Sequence, residues 1–140
     1  MFLNFFVMAN HYFRLNGTDF GIGSVQLLLP VTEQLLTLKI TGSEEVTEAI
    51  ITDEAQAFNW ILYPPMIYFT DVPYALVNGI KTLTISEELS DNYDIALYLM
   101  MHDDLTGTLS ITADNIITFS GTAQLDGADL PLEIFCVATS

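Results

Sequence analysis

The sequence predicts an all-β domain, an antiparallel sandwich or barrel of roughly nine to ten strands, and three observations predict it. Turn signals recur every 8–12 residues, the segments between them alternate apolar with polar side chains, and two Asn-Gly pairs sit between such segments. Asn16-Gly17 and Asn78-Gly79 fill the two φ > 0 positions that a two-residue hairpin turn requires. No internal repeat, low-complexity tract or linker divides residues 1–140, which are expected to form a single domain.

In chain order, His11 to Leu15 reads as a strand turning at Asn16-Gly17 into a second. Gly21 and Gly23 loosen that second strand and predict a bulge. Gln26 to Leu29 runs into Pro30, which stops pairing, and Gln34 to Thr41 resumes as a strand. At most one short helix is expected, near residues 53–62, where Asp53 and Gln56 have capping-box spacing and Tyr63-Pro64-Pro65 ends any helix. Met66 to Thr70 is a strand, Asp71 to Pro73 a turn, and Tyr74 to Val77 a strand that turns at Asn78-Gly79 into Ile80–Ile85. Ser86 to Asn92 reads as a polar connection.

Tyr93 to Asp104 is apolar on both faces in its middle, as a strand covered on both sides would be. Residues 93–101 are read as the first strand of a C-terminal meander, ending at His102-Asp103-Asp104, whose later loops fall at Ala113–Asn115 and Asp126–Asp129. The opening Met1 to Val7 is apolar but has no positive n-region or cleavage site and is too short to span a bilayer. Met8 is a second plausible start, so residues 1–7 read as an extension.

Charge limits the function classes. Three basic residues oppose 18 acidic ones, for a formal net charge of −15. Phosphate backbones are held by Lys and Arg, and anionic membranes repel such a chain, so neither nucleic acid nor membrane is an expected partner. A basic protein is, because the field would steer its approach. Apolar residues make up 51% before any glycine is counted, above the roughly 45–50% of a soluble domain with glycine included. That excess needs a large core or apolar surface covered by an identical chain. The single cysteine, Cys136, lies in an apolar strand and reads as a core thiol. One unpaired cysteine slightly favours the cytoplasm.

No catalytic constellation stands out. His102-Asp103-Asp104 clusters an imidazole with two carboxylates, yet no nucleophile or second ligand set accompanies it. Gly21-Ile22-Gly23-Ser24 is neither a nucleophile elbow nor a phosphate cradle. No catalytic residue, metal ligand or cofactor is therefore assigned, and an enzyme is disfavoured. The expected role is that of a non-enzymatic interaction protein of the inhibitor or immunity type. Glu44, Glu45, Glu48, Glu87, Glu88, Asp103 and Asp104 would steer the partner, with His102 beside them, and Trp60, Tyr63 and Tyr68 would supply the buried anchor. Alternative readings are a β-barrel holding a small apolar ligand and a self-assembling structural subunit.

Overall fold

A computed structural model describes residues 11–43, 64–99, 102–125 and 128–138. The expected helix near 53–62, the extension 1–7, and Glu44, Glu45, Glu48, Trp60 and Tyr63 lie outside the described residues.

The chain forms an antiparallel sandwich of two sheets, with twelve strands among the described residues, and it is not a closed barrel. In order the strands are β1 (Tyr12–Leu15), β2 (Thr18–Asp19), β3 (Ile22–Leu28), β4 (Leu35–Gly42), β5 (Met66–Pro73), β6 (Ala75–Val77) and β7 (Ile80–Ile85). A short helix, α1 (Glu87–Asn92), precedes β8 (Asp94–Tyr98), β9 (His102–Asp103), β10 (Leu105–Ile111), β11 (Ile116–Leu125) and β12 (Ala128–Val137). One sheet has seven strands in the order β2-β1-β12-β11-β10-β7-β6, the other five in the order β3-β4-β5-β8-β9. The excess over nine to ten strands comes from β2 and β9, each two residues long.

Alternation places the core between the sheets. Leu36, Leu38 and Ile40 of β4, Ile67 and Phe69 of β5, and Ile95 and Leu97 of β8 are 3% exposed or less. Leu109, Ile111, Ile117, Phe119, Ile134 and Cys136 are equally buried on the seven-stranded sheet, and the Phe69 and Phe119 rings meet 6.3 Å apart across the interface. The intervening side chains of each strand face outward.

The turn chemistry acts as its residue types require. Asn16 and Gly17 take φ of 50° and 83°, and Asn78 and Gly79 take 53° and 82°. The register slips between Ile22 and Ser24, which places a bulge at Gly23. Asp71 does not turn the chain; β5 continues through it to Pro73. Here Thr70 and Asp71 oppose the single residue Thr37, a bulge with Asp71 at φ 49°. Thr37 ties it down, its hydroxyl accepting from the Asp71 amide at 3.0 Å.

Two further readings are corrected. Ser86 to Asn92 is helical rather than a plain connection, because the Ser86 side chain caps the Leu89 amide and Glu87 and Glu88 sit at the positive end of the helix. The strand expected over 93–101 is not part of the C-terminal meander. Asp94–Tyr98 belongs to the five-stranded sheet, where Leu97 pairs with Asp103 and Tyr98 with His102, which leaves β10-β11-β12 as the meander. The middle of β8 is nevertheless buried on both faces, at Ile95, Ala96 and Leu97. The buried Ser90 hydroxyl joins these parts, donating to the Ile95 carbonyl at 3.3 Å and accepting from the Leu105 amide at 3.4 Å.

Candidate binding surface

Strand alternation turns Gln26 and Leu28 of β3, Thr37 and Lys39 of β4, Met66, Tyr68 and Thr70 of β5, and Asp94 and His102 to the outer face of the five-stranded sheet. They line a hollow of about 500 Å³ there. Lys39 is paired with Tyr68, Tyr68 with Ala96, and Thr70 with Asp94. The one cation of the hollow thus stands on the β4 side and its carboxylate on the β8 side, with the Tyr68 ring between them.

An aromatic cluster occupies the β8 side. The Tyr68 hydroxyl is hydrogen-bonded to His102 Nδ1, and the two rings meet edge to face at 5.7 Å. The Tyr98 ring lies 4.9 Å from His102 on its other side. Burial, and then the charge and hydrogen bond of Asp94, raise the Tyr68 pKa above its ordinary value. Aromatic faces beside a carboxylate are a fitting seat for a guanidinium or ammonium group.

Immediately beyond His102 the chain crosses between sheets, and the three residues of His102-Asp103-Asp104 part company. His102 joins Tyr68 and Tyr98, Asp103 pairs with Leu97 at the edge of the five-stranded sheet, and Asp104 reaches the seven-stranded one, where its carbonyl accepts from the Gln124 amide at 2.9 Å. There Asp104, Glu87 and Asp129 line a small hollow of about 90 Å³, with Thr106, Thr122 and Gln124. Glu87, Glu88 and Asp91 on α1 are exposed, as are Asp94, Asp104 and Asp129. No Lys or Arg follows Lys81 in the sequence, so no cation from that half of the chain neutralises this end. Among the described residues no group of three or more His, Cys, Asp and Glu is placed to hold a metal ion.

The structure thus brings Tyr68 to His102 on the outer face of the five-stranded sheet, and Glu87 to Asp104 in a separate hollow on the seven-stranded sheet. Sequence reading missed Tyr98 and Lys39, and the place of Asp94 beside Tyr68, whose only signal is their register across β4, β5 and β8. His11 lies elsewhere, beside Gly21 to Val25, with its Nε2 buried and without a hydrogen-bond partner among the described residues, and burial lowers its pKa. Cys136 is fully buried, which pushes its thiol up to about 12 and leaves it unreactive at neutral pH. No family model, curated protein or solved structure matches this chain.

Proposed function

We propose that this chain is a non-enzymatic binding domain for a basic protein partner, which it engages at the corner where β8, β9 and α1 meet. The observation that carries the reading is the adjacency of an aromatic cluster, Tyr68, Tyr98 and His102, to the carboxylate of Asp94. In this reading an Arg or Lys side chain of the partner lies against the rings with its charge on Asp94. The acids of α1 and the β10 entrance then steer further cations. The bound pair would resemble other interfaces in which a few aromatic anchors carry the energy and rim charges set the rate.

Titration calorimetry against arginine-rich, lysine-rich and glutamate-rich peptides tests this. Basic peptides are expected to bind, with an affinity that falls as salt rises, and the acidic peptide is not. Asp94→Asn combined with Glu87→Lys and Asp104→Lys should weaken binding by about tenfold or more, since each desolvated charge pair is worth on the order of 1.5 kcal/mol or more. Equal binding of all three peptides, or no loss in the triple variant, would refute the assignment.

A further inference from the structure

We infer that β3 is a pairing edge through which two copies of this chain associate. A sandwich of two open sheets has four edges, and each presents unpaired backbone N–H and C=O groups to any strand that approaches. Three of the four are blunted by brevity: β2 and β9 have two residues each, and β6 has three. Charge guards two of these as well, since β9 carries Asp103 and β2 carries Asp19, which is ion-paired to Arg14 at 2.6 Å. By contrast β3 runs for seven residues from Ile22 to Leu28 with no charge and no proline.

The surroundings of this edge fit a second copy rather than another partner. Between Asp19 and Glu33 the chain has no charged residue, so a long neutral surface interrupts a molecule of net charge −15. On β3 itself a basic partner finds no carboxylate to attract it, and the β3 of an identical chain meets none opposing it. Among the described residues, the charged side chain directly paired with this strand on the outer face is Lys39, opposite Gln26, which lowers the local negative field. Leu28 is 62% exposed at the end of the strand, and Val31 beyond it is entirely exposed.

Geometry narrows the register. The bulge at Gly23 disrupts the ladder between Ile22 and Ser24, so straight pairing is confined to Ser24 through Leu28. An antiparallel twofold centred on Gln26 sets Ser24 of each copy opposite Leu28 of the other, and Val25 opposite Leu27. Such a contact is self-complementary, as an isologous dimer requires, and it fuses two five-stranded sheets into one of ten. It covers both copies of Leu28.

Sedimentation velocity from micromolar to sub-millimolar protein, at low and high salt, tests the pairing. A reversible dimer is expected, tighter at high salt because screening reduces the repulsion between two acidic bodies. Concentration-dependent hydrogen-exchange protection should appear at the amides of Ser24 to Leu28. Gln26→Glu with Leu28→Glu places like charges across the twofold and should weaken dimerisation by about tenfold. Because both side chains are exposed, the thermal melt of that variant should match the parent's at concentrations where the parent is monomeric. Leu76→Glu on the β6 edge should leave the dimer intact. A monomer at every concentration, a dimer indifferent to the β3 substitutions, or one lost on Leu76→Glu would overturn the inference.

Discussion

Leu97 offers the most direct test of how the sandwich is held together. It is fully buried on β8, its neighbour across β5 is the equally buried Ile67, and its partner across β9 is the half-buried Asp103. Leu97→Ala removes core contacts and leaves a cavity, at a cost of about 2–5 kcal/mol. Leu97→Asp does the same and adds a carboxyl in a site without solvent, on the face it shares with Asp103. Burial at that depth raises a carboxyl pKa by about 3–5 units, which at neutral pH amounts to a further penalty of about 4–7 kcal/mol. The sum is comparable to the whole stability of a domain, about 5–15 kcal/mol. The sign of the pH dependence follows. A carboxyl whose folded pKa is raised incurs no penalty below its unfolded value of about 4 and loses stability as pH rises above it. Urea denaturation followed by far-UV circular dichroism at pH 7 should therefore find Leu97→Ala folded but weakened and Leu97→Asp largely unfolded, with the gap between the two variants closing toward pH 4. Equal midpoints for the two variants at pH 7 would refute the burial argument.

Two further expectations are quickly checked. At the β10–β11 crossing Gly107 and Gly121 face each other, and a Cβ on Gly121 would fall on the Thr106 carbonyl oxygen and 2.7 Å from Gly107 Cα. Gly121→Ala should cost about 3 kcal/mol, since only backbone can yield, and a denaturation midpoint unchanged from the parent would contradict it. Asp94→Asn removes one of the influences that raise the Tyr68 pKa. Ultraviolet titration should find the phenol ionising at lower pH in that variant, and the parent should lose stability as pH climbs past about 10, where the unfolded phenol releases its proton first. A Tyr68 titration identical in parent and variant would separate it from Asp94.

Local chemistry was legible in the sequence and long-range register was not. Asn16-Gly17 and Asn78-Gly79 announce their turns because few other residue pairs tolerate both dihedrals, and the bulge near Gly23 follows from the same freedom. Asp71 misleads for a corresponding reason. Its φ of 49° resembles a turn, but the Thr37 hydroxyl that makes it a bulge comes from 34 residues away. Helix α1 escapes notice because six residues are too few for an apolar period, although its Ser86 cap and two leading glutamates are visible afterwards. Tyr68 and His102 were each identifiable as polar or aromatic outliers. Their hydrogen bond was not, because it depends on β9 folding back beside β8 and on β8 pairing with β5.

The placement of charge connects the two proposed surfaces. In the five-stranded sheet β3 and β9 are opposite edges, with β4, β5 and β8 between them, so at about 4.8 Å per strand the neutral edge stands roughly 19 Å from the acidic one. That is more than twice the Debye length of about 8 Å at physiological salt. A strand approaching β3 is thus largely shielded from Asp103, which is how one strongly acidic chain can keep an edge open to its own kind. Two copies joined there would carry their acidic corners about 40 Å apart, facing away from each other. Such a dimer has no means of closing both corners on one small partner. It would instead hold two basic sites of an extended or repetitive partner at once, with the second contact strengthened by the effective concentration that the first creates.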